Sequence, residues 1–402
     1  MIEFRTPTEE DREQVAGLLR VALNFGPDWV RERAPTFDLS RYLCAYESGR
    51  VLATAAARSF GQWFGGREVP MSGIHGVATV PEYRGAGLAV RTIEQLLHQA
   101  REREVPLSGL YPATLHVYRR LGFEIAGSFV EQSISLDDLP SGPGPLPVEE
   151  YRPGEDLEGV RACYRRVASA QNGPIDCNEE DWWPARILSH PYPEEVARAV
   201  VARGEGGTEG YAAFVYDKAE GELSGSFAIS CKHLVASTEA GLRSLLGYFR
   251  GYRGLGQDLK WISGHRDPIA LLVDEQRVKS VWTFRWMNRV LDVPGAFERR
   301  GYPPVSGEAV ISVDDPTFAD NRGPWRIEAD GGAVRVTRAD GPADAGRRAP
   351  RPIPIGALSS MYTGYLSPYD AVRLGYLDAG DPAAPFLAHL LTGPEPFMYD
   401  FF

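Results

Sequence analysis

Two runs of mostly apolar residues, "YLCAY" and "VLATAAARSF", flank a polar stretch at 47–50, which predicts two strands joined by a turn. A short strand opens the chain and is followed by Pro7 and Thr8 with acidic residues behind them. Thr8 is expected to cap a helix, with Asp11 three residues on. "IHGVATV" reads as a further strand. In "AGLAVRTIEQLLHQARERE" the period changes: Ala89, Ile93, Leu96, Leu97 and Ala100 recur three or four residues apart, which predicts an amphipathic helix. A short strand at 107–111, a short helix through Tyr118 and a strand in "FEIAGSFVEQSISL" complete a strand-rich α/β unit.

The Pro- and Gly-rich stretch 139–150 reads as a linker. A second α/β pattern follows, with strands in "GYAAFVYD", "SFAISCKHLVA" and "DLKWISG". Its helix, "STEAGLRSLLGYFRGY", is capped by Ser237 or Thr238, and no glycine-rich loop precedes it. A third unit begins near "RVLDVPGAFERRGY" and holds a hairpin, "WRIEADGGAVRVTR", about an Asp-Gly-Gly turn. Residues 338–354, rich in Pro, Gly and Ala, are expected to form a mobile loop.

Composition narrows the function classes. The 402 residues suit two or three domains. No apolar run approaches the roughly 20 residues of a membrane span, and the start lacks a signal-peptide pattern. Cys44, Cys163, Cys177 and Cys231 stand apart without CxxC spacing, which favours reduced thiols in a cytoplasm over disulfides or zinc, and no metal is implied. A formal charge of −11 argues against nucleic-acid binding and suits a cationic partner or substrate.

The stretch that carries chemistry is "GVATVPEYRGAGLAVRTIEQLL". A strand ends at Val80, Pro81 breaks it, and "RGAGLA" leads into the amphipathic helix. Glycines let consecutive N–H groups turn into one concavity at a helix N-terminus, a site for phosphate. The loop lacks the Gly-Lys-Ser/Thr ending of a Walker loop and is not G-x-G-x-x-G.

Arg84-Gly85-Ala86-Gly87-Leu88-Ala89 resembles the R/Q-x-x-G-x-G/A pyrophosphate loop of the GCN5-related N-acetyltransferases (GNATs). About thirty residues on, "VYRRLGFEIAG" resembles that superfamily's Tyr-x-x-x-Gly-Phe segment. The layout of the whole chain narrows the resemblance to the Eis (enhanced intracellular survival) family. It implies an α/β and α+β protein: a catalytic GNAT domain at 1–140 with an intact acetyl-CoA loop, a degenerate GNAT-like domain at 149–288, and a sterol-carrier-protein-like α+β domain at 289–402. Members of that family acetylate several amines of aminoglycosides and other polycations, assemble as hexamers, and end on an aromatic residue, as this chain does in "MYDFF".

The same resemblance assigns roles. The pyrophosphate of acetyl-CoA falls to the amides of Arg84, Gly85, Gly87 and Leu88, and its pantetheine arm to the backbone of Val77 and Thr79. Tyr118 is the expected general acid, since a phenol in reach of the departing thiolate can protonate it. A phenol near pKa ~10 is a weaker acid than a thiol near ~8.5, so donation is coupled to loss of the amine's own proton. The α-carboxylate of Phe402 is the expected base, with His75 the alternative. For the amine, Phe25 and Trp29 offer apolar walls and Asp28 a counter-charge; Asp400 and Phe401 would contribute from the tail. Two rivals stand beside this reading: transfer to peptide or protein lysine, and a non-catalytic lipid or small-molecule binding protein.

Overall fold

The computed structural model describes residues 1–26, 28–188, 197–218, 226–339 and 351–402. The bulk of the expected loop at 338–354, its residues 340–350, lies outside them.

The first stretch runs β1 (Glu3–Arg5), α1 (Arg12–Leu23), α2 (Trp29–Arg33), β2 (Tyr42–Glu47), β3 (Arg50–Phe64), β4 (Arg67–Thr79), α3 (Leu88–Glu102), β5 (Leu107–Leu110), α4 (Leu115–Arg119) and β6 (Glu124–Ser135). The second runs β7 (Val148–Glu150), α5 (Leu157–Ala168), β8 (Ile175–Asp176), α6 (Trp182–Leu188), β9 (Arg198–Gly204), β10 (Gly207–Lys218), β11 (Phe227–Ala236), α7 (Glu239–Arg250), β12 (Gly256–Ser263) and β13 (Lys279–Val290). The third runs α8 (Val293–Arg299), β14 (Gly307–Asp314), β15 (Gly323–Asp330), β16 (Ala333–Arg338), β17 (Pro352–Pro354), α9 (Ile355–Thr363), α10 (Pro368–Arg373) and α11 (Ala383–Leu390).

The first two stretches share one sheet, in the order β1-β2-β3-β4-β5-β13-β6-β12-β11-β10-β9-β7, with β8 paired to β3. The sequence pattern does not predict a strand at β13, whose positions do not alternate between exposed and buried. This strand leaves the second half and lies between β5 and β6 of the first, antiparallel to both. The third stretch carries its own sheet, β16-β15-β14-β17, and the predicted hairpin is β15–β16.

Local signals hold where they are strong. In α3 the face of Leu88, Ile93, Leu96, Leu97 and Ala100 is buried against β3 and β4, and the side chain of Thr238 caps α7 by accepting from the Gly241 amide at 3.0 Å. The Asp11 carboxylate accepts from the Thr8 amide at 2.8 Å, fixing the entry to α1.

A fully buried ion pair joins β13 to the third stretch. Arg289 Nη2 lies 2.6 and 2.8 Å from the two Asp315 carboxylate oxygens, and both side chains are shut off from solvent. Burial alone would raise the Asp315 carboxyl, but the Arg289 charge and its hydrogen bonds, helped by Asn321 and the Phe318 amide, hold it below its ordinary value. Asp315→Ala would strand a guanidinium in the core. We expect it to lower the free energy of unfolding by about 3–5 kcal/mol, read by urea denaturation. Replacing both partners with apolar residues of similar size should cost much less.

Candidate active site

The glycine-rich turn forms as the sequence implies. β4 ends at Thr79, a short 3-10 turn follows at Pro81–Tyr83, and α3 begins at Leu88 with Gly87 as its N-cap. Gly85 (φ +86°) and Gly87 (φ +76°) hold left-handed conformations that a Cβ would strain, and no atom lies within 4 Å of where either Cβ would stand. The turn is therefore an open, backbone-lined concavity. The first N–H groups of α3 have no intrahelical acceptor and head into it, with the positive end of the helix dipole behind them. This donor set fits a pyrophosphate. One expectation is corrected: the Arg84 amide donates to Pro81 O at 3.2 Å, closing the short turn, and so does not belong to the cradle. The Arg84 side chain is exposed.

Beside the turn the sheet forks. β4 and β5 pair in parallel from Met71–Leu107 to Ile74–Leu110, and there β5 ends while β4 continues to Thr79. A register shift against β3 falls at 75–78, with Gly76 at φ +58°. Val77 and Thr79 thus sit on the one arm of the fork that lacks a β5 partner, where their backbone groups are open to a ligand. Tyr118, on α4, packs into the cluster of Ile74, Leu97 and Leu110 at the fork's base. Burial raises its phenol above the ordinary value, so the hydroxyl keeps its proton through the neutral range.

The chain's last residues arrive on the other face of β4. Phe402 packs at 4.8 Å on Phe60 with the rings tilted, and lies edge-on to Tyr111 at 5.6 Å. Gly73 makes room for it: a Cβ there would come within 2.7 Å of the Phe402 ring. Side chains alternate along a strand, so Gly73 and the Tyr118-contacting Ile74 point to opposite faces. Tyr118 and Phe402 therefore flank the fork from two sides. Phe401 packs on Tyr111 at 4.4 Å and remains half exposed.

His75 lies two residues beyond Gly73, on the same face. Its Nε2 is buried and finds no hydrogen-bond partner among the described residues. Burial first, then the charges of Arg58 and Arg41, pulls the imidazole down to about 4. An aromatic file leads outward from it: Tyr42 at 6.0 Å, then Phe37, Trp29 and finally Phe25, stacked on Trp29 at 4.4 Å. Phe25 and Trp29 thus stand together at the outer end of this file. Asp28 does not stand alone there, because the Arg31 guanidinium lies 3.0 Å away.

The acidic side of the cleft comes from residues the sequence reading passed over. Glu179 bridges Arg41 (2.7 Å) and Arg58 (2.5 Å), and Asp181 also meets Arg58 at 2.8 Å, tying the second half across the first. A cavity of about 540 Å³ is lined by Phe60, Glu68, Asp176, Cys177 and Glu179. Burial, and then Asp176, raises the Glu68 carboxyl. Phe60 forms both this wall and the seat of Phe402.

Asp400 requires a correction. It was expected to face the substrate, but its side chain is almost wholly buried and Oδ1 lies 3.0 Å from His233 Nε2. Its charge is consumed inside the protein. No periodicity or spacing could have paired residues 167 positions apart.

Comparison with known proteins gives this geometry a family. Residues 3–126 and 177–290 each match a family model described as an acetyltransferase (GNAT) domain, and 293–399 match a sterol carrier protein domain. The chain is 27% identical over 400 residues to an uncharacterized N-acetyltransferase of Streptomyces griseus, spanning 93% of this chain and 92% of that one. It is 24% identical over 291 residues to N-acetyltransferase Eis of Mycobacterium tuberculosis, covering 69% and 68% of the two chains. The crystal structure of a GCN5-related N-acetyltransferase from Anabaena variabilis superposes on all of both chains with a TM-score of 0.91 at 26% identity. With two acetyltransferase folds in tandem, a sterol-carrier fold behind them and an open anion cradle in the first, the chain is an N-acetyltransferase of GNAT domains, similar to Eis.

Proposed function

We propose that the protein transfers the acetyl group of acetyl-CoA to amines of polycationic small molecules, aminoglycosides among them and at more than one position, in the cytoplasm and as a homo-oligomer. The observation that carries this reading is the seating of Phe402 on β4 beside the fork, next to a cavity bearing Glu68, Asp176 and Glu179. Glu179 is paired with Arg41 and Arg58 and Asp176 with Arg165, so Glu68 beside the apolar Phe60 wall is the carboxylate offered to an ammonium group, whose approach at long range the net charge of −11 favours.

The co-substrate supplies an activated acetyl thioester. The amides of Gly85, Gly87 and Leu88 hold its pyrophosphate, and the backbone of Val77 and Thr79 lines the arm of the fork along which its pantetheine lies. Tyr118, kept protonated by burial, donates to the departing sulfur from one side of β4. The Phe402 carboxylate faces the amine from the other side, orienting the ammonium and accepting its proton directly or through water. Basicity does not separate the two, since an imidazole held near 4 and an α-carboxylate with an ordinary value of ~3.5 are both weak bases; the carboxylate is preferred over His75 because its charge also holds the ammonium.

The deciding experiment is thiol release from acetyl-CoA with aminoglycosides, polyamines and lysine peptides as acceptors. Multiply charged small amines should win, with kcat/KM falling as salt rises. A preference for lysine peptides would move the substrate class, and no release with any amine would overturn the reading. Tyr118→Phe should lower kcat by about 10²-fold or more while the KM for acetyl-CoA stays nearly unchanged. A semisynthetic chain ending in Phe402 carboxamide keeps the ring and loses the charge, and should lose most of its turnover; full turnover would hand the base to His75.

An NMR titration of the His75 ring should give a midpoint of about 4. The sign for stability follows. Between that value and the ~6.5 of a free histidine the unfolded chain binds a proton that the native ring does not. Its contribution is therefore present above pH ~6.5 and is lost as the pH falls toward the native value.

A further inference from the structure

The second acetyltransferase fold has no glycine-rich loop before α7, so its use to the chain lies elsewhere. A fully buried polar relay runs from it into the tail. The Tyr211 hydroxyl meets His233 Nδ1 at 2.7 Å, and His233 Nε2 meets Asp400 Oδ1 at 3.0 Å. When the hydroxyl donates to Nδ1, the proton of the neutral ring stands on Nε2 and points at the carboxylate, so each contact has one donor and one acceptor. Aromatic rings close around the imidazole: Tyr164 stacks on it at 5.8 Å, Trp183 meets it edge-on at 6.2 Å, and Tyr399 lies at 5.8 Å.

Asp400 is held from the first half too, where the Tyr111 hydroxyl donates to its carbonyl at 2.9 Å. Beyond Asp400 come Phe401, half exposed, and Phe402. Ring packing holds such residues against the sheet without itself prescribing an exact distance and angle, because the hydrophobic effect has no direction. Hydrogen bonds fix distance and angle. Asp400 thus carries the register set by the docking of Pro396 and Met398 on Ser128 to within two residues of Phe402.

We propose that His233, oriented by Tyr211, is a positioning residue for acetyl transfer. It holds Asp400 and thereby sets where the Phe402 carboxylate stands, so the second fold completes the site of the first. The proposal rests on the reading of that carboxylate as the base. A displacement of about 1 Å at a reacting group costs on the order of 10²-fold in rate, so a relay of this kind acts on kcat and leaves the distant cofactor loop alone.

The test uses the full chain and reads tail and turnover separately. His233→Leu removes both contacts, His233→Gln keeps an amide N–H for Asp400 and a carbonyl for Tyr211, and Tyr211→Phe removes a single hydroxyl with the ring retained. His233→Leu should lower kcat by about 10²-fold with the acetyl-CoA KM within about twofold, and His233→Gln should recover most of the loss. Tyr211→Phe, the variant most certain to fold, should shift kcat in the same direction by about threefold to tenfold. Independently of turnover, carboxypeptidase should release phenylalanine from the native tail faster in His233→Leu and Tyr211→Phe than in the wild type or His233→Gln. Folded variants whose tails are released no faster would overturn the inference while leaving the base assignment intact. Faster release with unchanged kcat would instead overturn the base assignment, and with it any catalytic meaning of the relay.

Discussion

A strand inside a sheet must satisfy its backbone on both sides, and β6 does not find enough neighbours to do so. β13 lies along one side, from Ser133 down to Glu124. On the other side β12 pairs only from Ser135 to Val130. The gap left below is filled by the end of the chain. The Ser128 amide donates to Pro396 O at 3.0 Å and its carbonyl accepts from the Met398 amide at 3.1 Å, with Phe397 bridged alongside. The Phe397 amide in turn donates to Asn172 O. Everything beyond follows from this docking, because residues 399–402 can reach only the ground next to β6. That ground is the aromatic face of Tyr111, Phe129 and Phe60 beside the fork.

The same constraint explains how three stretches make one site. The first half supplies the cradle and the fork. The second supplies Glu179, Asp181 and the His233 relay, and the third delivers the tail. Among the polar links between them are the buried pair of Arg289 with Asp315 and the part-buried bond of Tyr111 to the Asp400 carbonyl. Buried links of this kind are costly to break singly and therefore resist relative motion of the parts.

What the sequence disclosed was local. The amphipathic period of α3, the strand-to-helix glycines and the Asp-Gly-Gly hairpin each declare themselves within a few residues, because sterics and hydrogen bonding act at that range. β13 did not declare itself. Its first residues are exposed and its last fully buried, so no single alternation marks it, and its partners β5 and β6 lie well over a hundred residues earlier. Asp400 was misjudged for a related reason. Net charge is a property of the whole surface, whereas the fate of one carboxylate depends on which distant side chain meets it. Arg84 shows the limit of motif reasoning at the smallest scale: the motif names the residue, but a single turn hydrogen bond decides whether its amide is available.

The interposed strand has an evolutionary consequence. A fragment comprising β1 to β6 alone would carry a slot one strand wide between β5 and β6, with unanswered donors and acceptors on both walls. Such a slot invites any passing strand, its own copies included. The two halves are thus interlocked rather than appended, and the one without a cofactor loop cannot be discarded by trimming the gene. A fold without a glycine-rich loop is still indispensable here, since losing its last strand would turn a working sheet into a sticky one.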